Sequence, residues 1–174
     1  MLRGVYIGLR AIEKSDLPQL LAWRNKPEFR LFFREYRELN AENQNRWFEK
    51  YVMSDPNTQM FAIVDLNTGE LFGACGLCYI DWVNRNADFS IYIGKDSLYI
   101  DEKYAIDAGN IMEKYGFEEL NLHRLWAEIY SIDEKKKSFF SKLGFRQEGV
   151  FKETHWTHGK WIDSIYFAKI NKKE

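Results

Sequence analysis

Four arginines, Arg24, Arg30, Arg34 and Arg37, are interleaved with Phe29, Phe32, Phe33 and Tyr36 in a stretch that follows neither a helical nor a strand period. Guanidinium forks match carboxylate and phosphate geometry, so Arg24, Arg30 and Arg34 are candidates to line a pocket for an anionic substrate. The plainer account pairs these cations with Glu28, Glu35 and Glu38 on a solvated surface. A second place that attracts anions is the start of a helix expected near Asp101, where the first amides and the helix dipole favour a phosphate-bearing ligand. The loop that has to hold such a ligand, Tyr99 to Tyr104, contains no glycine and carries both Asp101 and Glu102. Those carboxylates oppose the binding that the helix start favours.

Other reactive residues fall in patterns that carry less. Cys75 and Cys78 match C-x-x-C, but on an extended strand they lie about 10 Å apart on opposite faces, beyond the roughly 7 Å that a disulfide bridges. No second cysteine pair exists for zinc, and two small buried residues are expected instead. His155 and His158 sit on a strand and its turn and do not converge, while His123 opens a strand as a packed residue. No Ser-His-Asp, Walker, zincin or G-x-G-x-x-G pattern is present, which leaves hydrolase and dinucleotide readings without support.

The elements that must position these residues centre on one unit. Asp88, Ser90 and Tyr92 alternate with Phe89, Ile91 and Ile93, the period that sends successive side chains to opposite sheet faces. From Tyr104 the apolar positions become Tyr104, Ala108, Ile111, Met112 and Tyr115, one face of a helix. Gly116 suits a left-handed helix stop, and Leu122 to Tyr130 returns to alternation. Strand, crossover helix and strand make a βαβ unit with parallel strands. Before it come a strand over residues 5–12, a helix begun at Ser15-Asp16 and a helix capped by Asn40. A hairpin of residues 60–66 and 71–81 follows. After the unit come a short helix with a Ser131 to Glu134 capping box, closed by Gly144, and a hairpin of residues 145–155 and 161–170.

Composition sets outer bounds. A chain of 174 residues with 45% hydrophobic and 17% aromatic content is expected to form a single domain over residues 1–174 with its own core. Lysine plus arginine (25) balances aspartate plus glutamate (26), so no global field favours nucleic acid or an anionic membrane. Arg3, Arg10, Glu13 and Lys14 break any signal-peptide core, and no stretch approaches the roughly 20 apolar residues of a membrane span, which predicts a cytoplasmic protein.

The order of elements and several stretches resemble the GNAT superfamily of acetyl-CoA-dependent N-acetyltransferases over nearly the whole chain. The branch with ribosomal-protein alanine and spermidine acetyltransferases is similar at L-R-A-I-E-K-S-D-L, N-R-N-A-D-F-S-I-Y-I-G, F-E-E-L-N-L-H-R-L-W-A-E-I-Y, K-L-G-F-R-Q-E-G-V-F-K-E-T and the H-G-K-W-I-D-S-I-Y-F hairpin. W-R-N at Trp23 resembles the superfamily's amino-sugar acetyltransferases. The resemblance implies an α/β (α+β) fold, a mixed twisted sheet of about seven strands flanked by about four helices. It also implies transfer of an acetyl group from acetyl-CoA to a primary amine, without a metal. The acceptor is a small-molecule or peptide amine, with a peptide N-terminus, a polyamine, an amino sugar and an antibiotic all open, and a homodimer is compatible with the family.

By the same resemblance, acetyl-CoA enters a gap between the strands of Asp88 and Leu122. Ile91, Tyr92 and Ile93 then present backbone groups to the pantetheine, and the amides of Asp101, Glu102, Lys103, Tyr104, Ala105 and Ile106 face the pyrophosphate. Asp133 and Phe140 line the cofactor where the family often has asparagine and a proton-donating tyrosine. Asp88 is the first candidate for the base that deprotonates the amine, and Glu128 the second. The chain departs from the family's Q/R-x-x-G-x-G/A loop, since Asp101 and Lys103 stand where the glycines belong, and Asp101 can cap the helix with its own carboxylate. Phe140 keeps a ring but has no proton to give. These departures support an alternative, a catalytically degenerate GNAT-fold binding or interaction module.

Overall fold

The computed structural model describes residues 1–172. Its strands are β1 (Leu2–Arg3), β2 (Ile7–Ala11), β3 (Gln59–Asp65), β4 (Leu71–Asp81), β5 (Asn86–Ile93), β6 (Arg124–Tyr130), β7 (Arg146–Thr157) and β8 (Lys160–Ile170). They form one eight-stranded sheet in the order β1-β2-β3-β4-β5-β6-β8-β7. The helices are α1 (Leu17–Arg24), α2 (Pro27–Arg30), α3 (Ala41–Trp47), α4 (Tyr104–Lys114) and α5 (Glu134–Lys142). The mixed α/β architecture is as expected, with one strand and one helix more. β1 is two residues that turn back on β2, and α2 is one turn opened by Pro27 within the arginine-aromatic stretch.

Parallel pairing occurs in one place, between β5 and β6, because α4 carries the chain back across the sheet. The ladder consists of Asn86 with Arg124, Ala87 with Leu125 and Asp88 with Trp126, and then stops. Beyond it β5 stays paired on its other edge with β4, as far as Ile93 with Gly73. The two strands therefore part at their C-terminal ends. An irregularity between Cys78 and Asp81 gives Tyr79 a φ of 51° and leaves its ring exposed beside the split.

Phe89, Ile91 and Ile93 enter the core with α4's Ala105, Ala108, Ile111 and Met112 and α5's Phe139 and Phe140. Gly116 does not stop α4. The helix widens into a π turn over Tyr115–Glu119, and Asn121, at φ 55°, supplies the left-handed residue. Nor does Ser131 cap α5. Asp133 is the N-cap, its Oδ1 accepting from the Lys136 amide at 3.0 Å. Gly144, at φ 83°, ends that helix as expected.

One polar contact ties the first strands to the crossover. Asp107 of α4, buried, accepts from the amides of Val5, Tyr6 and Ile7 at 3.0, 2.7 and 3.0 Å. It satisfies the backbone at the point where the chain enters β2, across some hundred residues of sequence. Replacing Asp107 with alanine leaves these amides without an acceptor, and we expect a loss of roughly 2–4 kcal/mol. Urea unfolding checks this; a variant within about 0.5 kcal/mol of wild type, the range of ordinary surface substitutions, contradicts the clamp.

Candidate active site

The split between β5 and β6 opens a cavity of about 570 Å³. Alternation along β5 turns Asp88, Ser90 and Tyr92 toward it, and β6 adds Glu128 and Tyr130. The segment after α2 forms the opposite wall with Phe32, Phe33 and Arg34, while α1 gives Arg24 and α3 gives Gln44 and Trp47. At the floor, the Arg34 guanidinium donates to Asp88 Oδ2 at 2.9 Å and Glu128 Oε2 at 3.4 Å, and lies 5.7 Å from the Tyr79 ring. Asp88 is 5% exposed. Burial raises its pKa above the ordinary carboxylate value, against the opposing pull of Arg34 and Lys136 and with a further push from Glu128.

Of the three arginines predicted to bind substrate, the fold brings Arg24 and Arg34 to the cavity and turns Arg30 away, into an ion pair with Glu38. Arg37 reaches the cavity wall paired with Glu35. Both cysteines are free. Burial pushes the Cys78 thiol up to about 12 and Cys75 higher, so neither is poised as a thiolate. Among the described residues no cluster of histidine, cysteine and carboxylate is placed to hold a metal.

Sequence reasoning missed several lining residues. Lys136 sits among three consecutive lysines, which read as a solvated helix face, yet its ammonium lies 5.5 Å from the Tyr99 ring and lines the cavity. Loss of hydration lowers its pKa, opposed by Asp133 and Asp88. Gln44 shares the α3 face of Trp47 and Phe48, and a glutamine on an apolar helical stripe is a legible signal. Tyr79 owes its position to the β4 irregularity, which leaves no mark in the residue pattern.

The expected cofactor residues are placed unevenly. Tyr92 sits opposite Ala74 of β4, whereas Ile93 exchanges both backbone hydrogen bonds with Tyr99, at 2.7 and 2.8 Å. Ile91, two residues earlier, turns its backbone to that same split edge. At the helix start, Asp101 accepts from the amides of Lys103, Tyr104 and Ala105 at 3.0, 2.9 and 2.8 Å. Glu102 pairs with Lys142, Lys103 reaches over the Tyr6 and Tyr104 rings, and Ile106 packs against the core. Asp133 accepts from the Tyr99 hydroxyl at 2.5 Å, and Phe140, 1% exposed, is enclosed by Phe89, Phe139 and Phe145.

The family model described as an acetyltransferase (GNAT) domain matches residues 9–166, a span that includes both split strands and the crossover helix. The chain belongs to the GNAT acetyltransferases. Its reaction is the transfer of an acetyl group from acetyl-CoA to an amine. The spermidine N(1)-acetyltransferase of Escherichia coli strain K12 is 28% identical over 91% of this chain and 83% of its own length. An uncharacterized N-acetyltransferase of Bacillus licheniformis is 28% identical over 95% of this chain and 93% of its own. In fold, the chain is similar to the crystal structure of spermidine N-acetyltransferase from Vibrio cholerae in complex with CoA and spermine, with a TM-score of 0.86, 23% identity and coverage of 94% and 95%.

The open edge at Ile91 leaves backbone groups at the split that could hold the acyl arm of acetyl-CoA. The helix start does not suit the pyrophosphate while Asp101 occupies its amides, since a carboxylate already holds the donors and repels a second anion. Exchanging Asp101 and Lys103 together for glycine frees those amides at a cost of about 1 kcal/mol of helix stability. We expect calorimetry at moderate salt to show acetyl-CoA binding more tightly to the double variant than to wild type. Weaker binding by the variant would instead mean that Lys103 holds the phosphates.

Proposed function

We propose that a single domain over residues 1–174 accepts a primary amine, from a small molecule or a peptide, in the cavity at the β5–β6 split, with Asp88 as the base. The observation that carries this reading is the shared ion pair at the floor, where one guanidinium faces two carboxylates from the two diverging strands. An ammonium entering the cavity meets the same two acceptors. Asp88 is the better base because burial raises its proton affinity, so that its carboxylate takes a proton more readily than an exposed one. Glu128 is the second acceptor, and the Arg34 guanidinium bonds to both carboxylates.

When bound, acetyl-CoA supplies the acetyl thioester. The chain's own groups hold and move protons around it. Lys136 lines the cavity from the α5 side, and the Ile91 backbone at the split edge can orient the acyl arm. Phe140, enclosed in the core, serves packing. The spermidine acetyltransferases among the relatives make a polyamine one candidate acceptor, and a solved structure of the Vibrio cholerae protein is dodecameric. Self-association of this chain fits the exposed Phe151, Trp156 and Trp161 of the β7–β8 hairpin.

Asp88→Asn is expected to lower turnover by about 10²-fold or more with acetyl-CoA affinity nearly unchanged. Full activity in the variant, measured as CoA release, rules the role out, and equal losses in turnover and affinity point to structural damage. The acid limb of kcat/KM adds an independent check with one acceptor throughout. Asp88 must be ionised to act, so activity falls as pH drops through its pKa. Arg34→Ala removes a group that lowers this pKa and moves the limb to higher pH; Glu128→Gln removes one that raises it and moves the limb lower. Shifts in the same direction contradict the assignment.

A further inference from the structure

The outer end of the acceptor cavity is built differently from its floor. It continues into a second hollow of about 350 Å³ between α1, the segment before α3, and α3 with its following turn. Glu35 is the one carboxylate in the lining of this hollow, and Arg37 holds it with two hydrogen bonds, at 2.8 and 2.7 Å. Arg46 is engaged by Glu42 at 3.2 Å. Arg24 and Lys50 remain, with no ion pair within 4.0 Å among the described residues. Arg24 lies 5.4 Å from the centre of the Phe33 ring, and Lys50 lies 5.0 Å from that of Tyr51.

Gln44 stands where the two hollows meet and lines both. It is 2% exposed, and its Nε2 is a buried donor without a partner among the described residues. Buried amide donors are nearly always satisfied, because leaving one unmade is costly. An unused donor and two cations that no carboxylate contacts at ion-pair distance among the described residues thus surround one space, and each can take an anionic oxygen. The floor is the reverse, with Asp88 and Glu128 sharing the guanidinium of Arg34.

We propose that the outer hollow is an anion subsite, and that the acceptor is an amphoteric molecule with its amine at Asp88 and a phosphate or carboxylate at Arg24, Lys50 and Gln44. The inference rests on the acceptor reading above and specifies the acceptor's far end. A polyamine is disfavoured, because it would bring a second ammonium against Arg24 and Lys50. The aromatic walls between the two ends, Phe33 and Trp47, suit an uncharged middle.

The test uses the full chain and matched amines that differ at one end. Glucosamine 6-phosphate against glucosamine reads phosphate; 6-aminohexanoate against hexylamine reads carboxylate; spermidine stands for the polycation. Calorimetry without donor is expected to show the member of at least one pair that carries the anionic group binding about tenfold or more tightly than the partner that lacks it, a gap that narrows with added salt. Which pair shows the gap identifies the anion. Arg24→Gln with Lys50→Gln, and separately Gln44→Leu, should shrink that gap; Lys50→Gln alone, at an exposed position, guards against a folding failure. Equal binding within both pairs, tighter binding of spermidine, or a gap that survives the double variant overturns the subsite. CoA release by Asp88→Asn separates the two readings. Full turnover together with an intact gap upholds the subsite and removes the base, whereas lost turnover without any gap removes the subsite and keeps the base.

Discussion

Three residue pairs of parallel ladder join β5 to β6, and the site follows from where that ladder stops. Past Asp88, one edge of β5 has no strand beside it, so its backbone groups need other partners. Ile93 finds them in Tyr99, which turns the chain back toward the start of α4. Ile91 is left facing the gap. On the cavity side, the divergence exposes Asp88 from one strand and Glu128 from the other, and two carboxylates at the bottom of a cleft need a cation. Arg34 supplies it from the segment after α2, which fixes where the acceptor wall stands.

The two ends of this site treat negative charge in opposite ways. At the start of α4 the amides that attract an anion are already engaged by an internal carboxylate, in three hydrogen bonds from one aspartate. At the outer hollow Arg24, Lys50 and the Gln44 donor are present, and among the described residues no carboxylate contacts them directly.

Much of the fold was legible because it rests on patterns that repeat. Alternation from Asp88 to Ile93 and the helical spacing from Tyr104 to Met112 define the βαβ unit, and the unit dictates parallel strands. The missing pieces were short or non-local. β1 is too brief to show a period, and Gly116 advertised a stop that Leu77 and Leu125 packing replaces with a wider turn. At the site, Asp88 and Glu128 could be named from a family resemblance, and Asp101 as a cap from its place before a helix. The ion pair joining Arg34 to both strands could not be read, since it depends on a segment without periodicity. Lys136 was hidden by its neighbours, because a run of lysines looks solvated whichever one turns inward.

The hydroxyl of Tyr99 and the carboxylate of Asp133 form a buried pair that spans the loop before α4 and the cap of α5. Neither residue can change alone without stranding the other. Phenylalanine at 99 leaves a buried carboxylate oxygen short of its donor, and a small apolar residue at 133 leaves a hydroxyl without an acceptor and α5 without its cap. The two positions are therefore energetically coupled. A shift in the loop before α4 is thereby felt at the first turn of the helix that carries Lys136.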